Sequence, residues 1–284
     1  RAEHRPFAGR HEVTAGPFTF SHIFGGEDLD ARRRMPGWDR AGFDSRAWQP
    51  AREVSPPPGR LAAMFWPGFA PFERQQPASV KQPTNGVYLY SFPQNMAAQL
   101  RVELAGGRAG DRIHFRCGEH KNAQDRLFGG YVVGCEVVTD GQPLTHQWGS
   151  FYLGMQFVEV TGAVPADQPN PERLPVIRRL TLVNVRNALP ETGTFHCSSD
   201  LYNGTHRIID AAMRANMSWV LTDCPHREKL GWLECAYLMA PSFQYRYDAR
   251  DWLAKISRDI RDAQEPSGRV LTVAPSYPAG KFPG

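Results

Sequence analysis

Two carboxylates, a guanidinium, an imidazole and an indole fall within one short stretch, Thr222-Asp-Cys-Pro-His-Arg-Glu-Lys-Leu-Gly-Trp232. Asp223 and Glu228 are of the type that serves as general acid or base in glycoside cleavage, where a carboxylic acid protonates the departing oxygen. Arg227 and His226 can donate hydrogen bonds to hydroxyl or carboxylate oxygens. Trp232 offers a flat apolar face on which a sugar ring can stack. Glu234 adds a third carboxylate two positions further on. A charged surface loop beside an ordinary core tryptophan has the same composition, so residue types alone leave both readings open.

The elements that must hold this stretch follow from periodicity. From Gly86 to about Phe195 the apolar residues recur with a period near two (Val87, Leu89; Leu100, Val102, Leu104; Ile113, Phe115; Val158, Val160; Leu180, Leu182), which predicts strands. Gly106-Gly107, Asp140-Gly141 and Asn170-Pro171 mark turns between them. Many short strands with such turns predict an antiparallel β-sandwich over 80–195. Before it, residues 1–75 are irregular and rich in Pro and Gly. Phe18–Phe24 alternates like a strand, and Ser55-Pro-Pro-Pro-Gly59 is a break, so this part reads as the end of a separate β-module.

After Cys197 the period lengthens. Ser199-Asp200 can cap a helix along which Leu201, Thr205, Ile208, Ile209, Ala212, Met213 and Asn216 follow helical spacing. A second helix is predicted from near Trp232 toward Tyr245, with Pro241 bending or ending it. Asp248 offers a cap for a third, whose stripe is Trp252, Leu253, Ile256 and Ile260. The acidic and aromatic stretch is therefore expected to be a loop between the first two helices.

Composition narrows the partners. Thirty-three basic residues against 29 acidic ones, scattered singly or in short groups of which Arg32-Arg33-Arg34 is the densest, do not make a nucleic-acid surface. No apolar run approaches the ~20 residues that span a bilayer. The five cysteines (117, 135, 197, 224 and 235) show neither Cys-x-x-Cys pairing nor zinc-finger spacing. Cys224, His226 and Cys235 are accordingly expected to be core or loop-wall residues, and no metal or other cofactor is expected. Arg1 is not followed by a charged-then-apolar leader, and the first recognisable segment reads as starting inside a domain. A fragment of a longer protein is the expectation.

The order of residues in the loop resembles the Asp-Cys-Pro-x-Arg-(Asp)-Glu-Arg-Leu-Gly-Trp signature of bacterial α-L-rhamnosidases of glycoside hydrolase family 78. Further segments are similar to that family in the same order. They are Trp38–Pro50 around Gly42-Phe-Asp-Ser-Arg-Ala-Trp48, Val87–Met96 with Gln94-Asn-Met96, Gly118-Glu119, Gly154–Gly162, and Gly268–Pro283. The resemblance implies an (α/α)6 catalytic barrel of which 196–284 is the start. It implies an inverting hydrolase that removes terminal α-L-rhamnose from glycosides or oligosaccharides. It also implies Glu228 as the catalytic acid, with Asp223, Arg227, Trp232 and Glu234 as substrate-binding residues.

The family signature is one residue longer, so the single carboxylate between Arg227 and Trp232 aligns with either of two family acids. Glu228 is favoured because no other carboxylate lies there. The family's base is a Glu of the later barrel helices, to which no residue here corresponds, so the chain alone is expected to be inactive. A working acid should hold its proton near neutral pH. Asp223, Glu234 and partial burial beside Trp232 are therefore expected to raise the Glu228 pKa. Periplasmic or secreted use is favoured over cytoplasmic by analogy with enzymes acting on polymer-derived sugars. The competing reading is a non-catalytic carbohydrate-binding β-sandwich with a helical appendage.

Overall fold

The computed structural model describes residues 12–13, 18–20, 27–55, 61–128, 133–149 and 151–276. Among the described residues, twelve strands run in the order β1 (Glu12–Val13), β2 (Phe18–Phe20), β3 (Glu27–Asp30), β4 (Phe69–Gln75), β5 (Ser79–Thr84), β6 (Val87–Ala105), β7 (Ala109–Gly118), β8 (Val133–Asp140), β9 (Leu144–Gln147), β10 (Leu153–Thr161), β11 (Val164–Pro165) and β12 (Val176–Asn187). Three helices follow: α1 (Asp200–Asn216), α2 (Leu233–Arg246) and α3 (Arg250–Ala263). Ser21–Phe24, Pro56–Gly59 and Ser276's successors in the Gly268–Pro283 segment lie outside the described residues.

The 19-residue β6 organises the sheet. Its first part, Val87–Ser91, lies between β5 and β10, and its last part, Ala98–Ala105, lies beside β12, with β9 on its other edge. One strand thus serves both flanks of the sandwich, and the inward side chains of the two flanks meet in a single core. Leu100, Val102 and Leu104 from β6, Ile113 and Phe115 from β7, Val158 and Val160 from β10, and Leu180 and Leu182 from β12 are all buried there. Trp148 is fully buried in this core, 5.2 Å from the Phe115 ring, and its indole N–H donates to the Glu27 carbonyl at 2.9 Å. That bond removes the cost of burying a polar group with the ring.

Most pairings are antiparallel, as predicted, but β3–β8 and β11–β12 are parallel. Both exceptions involve a short strand of two to four residues: β11 at one edge, and β3 between β2 and β8. Strands β3 and β4, from the N-terminal 75 residues, pair with β8 and β12 in this same sheet.

A second core lies under the helices. Leu189, Met213, Met217, Leu221, Phe243, Tyr247, Trp252 and Ile256 are buried together. Trp252 donates its indole N–H to the Ser218 carbonyl at 3.1 Å, tying α3 to the segment after α1. Tyr247 donates its hydroxyl to Asp210 at 2.7 Å, and Arg214 and Arg246 flank the same carboxylate.

Three local expectations change. Pro241 lies inside α2 and does not end it, and the helix continues to Arg246. The hydrogen bond lost at the proline is offset by the burial of Phe243 one half-turn later, its ring 5.1 Å from that of Trp252 and tilted to it. Ser199 occupies the N-cap position of α1 without a side-chain cap bond; instead Asn203 clips the backbone of Cys197 from both sides. Ala249, not Asp248, is the N-cap of α3, because the Asp248 carboxylate is taken by the Arg250 guanidinium.

Candidate active site

The segment 217–232 contains no helix and links α1 to α2, as expected of the signature stretch. It folds on itself. The Asp223 N–H donates to the Leu230 carbonyl at 3.3 Å, and the Leu230 N–H returns to Asp223 Oδ1 at 3.2 Å. Within this closed loop the Glu228 N–H donates to Cys224 Sγ at 3.1 Å, so Cys224 lines the inner wall of the turn. Gly231 is required at its exit. A Cβ there would collide with the Ala274 carbonyl, whose own residue donates its N–H to Gly231 at 3.0 Å. The segment around Val273 thereby returns to Trp232.

The side chains of the loop separate into two directions. Glu228 is held from two sides, by the Arg227 guanidinium on Oε1 and by the Trp232 indole N–H on Oε2 at 3.0 Å. Asp223 lies within hydrogen-bonding reach of the same carboxylate. Lys229 takes the left-handed conformation, φ 53°, and points away from this group. Its ammonium donates to the Tyr152 carbonyl at 2.6 Å and lies 4.8 Å from the Tyr152 ring, in the sandwich. Burial pushes the Lys229 pKa down to about 8.

The two carboxyls titrate in opposite directions. Burial raises Asp223, and the Glu228 charge adds to the rise against hydrogen bonds from Cys224 and the Leu230 N–H. Burial also acts upward on Glu228, but Arg227 and Trp232 outweigh it and hold this carboxyl below its ordinary value. The expectation of a raised Glu228 is therefore corrected. Arg227 shares its pocket and Lys229 does not.

Asp223, Arg227, Glu228 and Trp232 thus converge. Glu234 stands apart: it is exposed in the first turn of α2, where a carboxylate complements the helix N-terminus. Among the described residues no group of His, Cys, Asp and Glu is arranged to hold a metal ion.

The sandwich contributes contacts that the loop sequence did not announce. Glu119, just after β7, places Oε2 2.8 Å from His226 Nδ1 and accepts from Asn95 Nδ2 at 2.9 Å on Oε1. Gly154 in β10 donates its N–H to the Pro225 carbonyl at 3.0 Å. The available signal was the similarity of Asn95, Glu119 and Gly154 to family segments, which pointed to strands rather than to the site.

Comparison with known proteins places these observations. Residues 9–70 match the alpha-L-rhamnosidase N-terminal domain, and residues 190–284 match the bacterial alpha-L-rhamnosidase 6 hairpin glycosidase domain. An alpha-L-rhamnosidase of Streptomyces avermitilis is 30% identical over 273 residues, covering 93% of this chain and 25% of that protein. One from Formosa agariphila is 27% identical over 265 residues, covering 89% and 27%. The crystal structure of a Streptomyces avermitilis alpha-L-rhamnosidase complexed with L-rhamnose superposes with a TM-score of 0.84 at 27% identity, over 93% of this chain and 26% of that one. The chain spans about a quarter of the length of these relatives.

Proposed function

Because this chain belongs to the bacterial α-L-rhamnosidase family, we propose that it supplies the acid side of a glycoside-hydrolase site that removes terminal α-L-rhamnose by inversion. The observation that carries this reading is the convergence of Asp223 and Glu228 between Arg227 and Trp232. Glu228 protonates the leaving oxygen, Trp232 forms an apolar wall for the sugar, and Arg227 directs donors to sugar oxygens or to the carboxylates. Glu234 is a peripheral substrate contact. Arg227 lowers the Glu228 pKa only while its guanidinium stays on that carboxylate. When Arg227 turns to substrate, that hold is released and burial raises the Glu228 carboxyl, which then serves as the acid.

The pair cannot furnish both roles of an inverting mechanism. Acid and base there stand roughly 6.5–9.5 Å apart to admit a water, and Asp223 sits in direct reach of Glu228. The base belongs to another part of the full-length protein, and the substrates are rhamnose-ended glycosides or oligosaccharides. A periplasmic or secreted setting accords with such substrates.

The raised Asp223 favours a second assignment, with Asp223 itself as proton donor. Both assignments are tested on the full-length protein with an activated aryl α-L-rhamnoside and one with a poor leaving group. Glu228→Gln should lose on the order of 10²–10⁴-fold in kcat on the poor leaving group and much less on the activated one. If Asp223→Asn shows that asymmetry and Glu228→Gln does not, Asp223 is the acid. Rhamnose binding without turnover of either substrate would favour the carbohydrate-binding reading instead.

A further inference from the structure

We propose that Glu119, carried by the β-sandwich, is a positioning residue that holds the catalytic turn in its working conformation. This rests on the reading of the Asp223–Glu228 pair as the acid side of the site. The turn Cys224–Glu228 is closed on its inner side by the Glu228 N–H to Cys224 Sγ. On its outer side two contacts, both from the sandwich, fix it: the Gly154 N–H on the Pro225 carbonyl and the Glu119 carboxylate on His226. His226 directly precedes the Arg227–Glu228 pair. Releasing it frees the turn to pivot at Pro225, which would carry Glu228 away from the Trp232 indole N–H.

Glu119 is built for a fixed geometry. Its side chain is only 13% exposed, and its two oxygens are divided between Asn95 and His226. Burial acts to raise its pKa, but His226 and Asn95 outweigh burial and hold the carboxyl below its ordinary value. At neutral pH it is therefore ionised, a negative charge 2.8 Å from His226 Nδ1 that also accepts from Asn95. Gly154 is part of the same device. A Cβ on it would stand 2.7 Å from both Glu119 Oε1 and Pro225 Cγ, so only glycine lets the strand, the carboxylate and the turn meet. The Lys229–Tyr152 contact anchors the turn's far end to the same sheet. Three sandwich positions, Glu119, Tyr152 and Gly154, thus hold one catalytic turn.

The experiment uses the full-length protein with Glu119→Gln, which keeps shape and removes charge, and Gly154→Ala, which forces the parts aside. Hydrogen–deuterium exchange of the 223–230 backbone is read against that of 200–216, together with kcat and KM on the two aryl rhamnosides. Each variant should speed exchange in 223–230 while leaving 200–216 as it was. Each should also lower kcat roughly 10- to 100-fold, more on the poor leaving group, with KM within about threefold. Unchanged exchange in 223–230 in Glu119→Gln overturns the proposal whatever the kinetics. So does an equal loss on both substrates together with faster exchange throughout, which marks a general structural role. If Glu228→Gln and Asp223→Asn both lack leaving-group asymmetry, the acid assignment fails on its own, and the exchange measurement still decides the role of Glu119.

Discussion

Along β6, alternate residues from Ala98 to Leu104 are buried by partners on the same sheet and across the core, whereas along α1 the apolar stripe stands in solvent. Leu201 is 74% exposed and Ile208 70%, and on α2 Tyr237 and Tyr245 are more than 80% exposed. Only Met213 on α1 is buried. The sandwich satisfies its own pattern of period two. The helices encode, at period 3.6, more apolar surface than three helices and one sheet can cover. Contiguous apolar surface of this kind marks a face for further contact. The chemistry lies at the seam: the carboxylate pair sits on the loop between α1 and α2, and its backbone is fixed from the sandwich.

The comparison is broken most strongly through the two buried tryptophans. Trp148→Ala in the sandwich core and Trp252→Ala under the helices should each lower stability by about 3–5 kcal/mol, since each removes a fully buried ring and orphans the carbonyl it served. Urea denaturation of this chain measures both. A loss at Trp252 of less than about 1 kcal/mol would mean that the helical cluster is not a working core.

The sequence disclosed these regions unequally for the same reason. Period-two runs such as Leu100, Val102, Leu104 read directly as strands because both the pattern and its burial are local. The pairing of β6 with several strands far apart in sequence, such as β12 and β9, leaves no local sign. The helices of the C-terminal part were legible in position, yet their caps were not. Asp248 is a good capping residue that an adjacent arginine captured, and Pro241 is tolerated because Phe243 is anchored. In the site, Asp223, Arg227, Glu228 and Trp232 stand close in sequence and converge in space. Glu119, Asn95 and Gly154 reach the turn only through folding of the sheet. The direction of the Glu228 pKa was missed because it depends on which way the neighbouring cations point, and the Arg227 guanidinium lies on the carboxylate while Lys229 turns away to Tyr152.

A smaller effect separates the seam from the ion pairs on either side of it. Glu159 in the sandwich, which Arg126 and Arg116 hold against burial, and Asp210 among the helices, held by Tyr247, Arg214 and Arg246, both have lowered pKa values. Their contributions are present above the unfolded carboxylate range, near pH 4, and are lost as pH falls through the folded values. Asp223 has the opposite sign. Its raised folded pKa contributes stability below that range, lost as pH rises through the folded value. Asp223→Asn should therefore raise the melting temperature slightly at pH 7 and leave it nearly unchanged at pH 3, while Asp210→Asn and Glu159→Gln lower it at pH 7. A destabilised Asp223→Asn at neutral pH would show that this carboxylate is held for structure, and the seam would then resemble the regions beside it.

The smallest expected effect tests what the exposed stripe is for. Ile208 makes its α1 face apolar but buries little of itself, so in this chain Ile208→Ser should change stability by no more than about 0.5 kcal/mol, the range of ordinary surface substitutions. Serine is a slightly poorer helix former than the leucine-like residues, but isoleucine is β-branched, so propensity adds almost nothing. The same substitution in the full-length protein is informative by contrast. A loss there of about 2 kcal/mol or more would mean that another part of the protein covers the stripe, since that is the size of a buried aliphatic side chain. An equal, near-zero effect in both would mean that α1 presents its apolar face to solvent in the whole protein as well. The contrast between a self-covered sandwich and an uncovered helical face would then be a property of the fold itself.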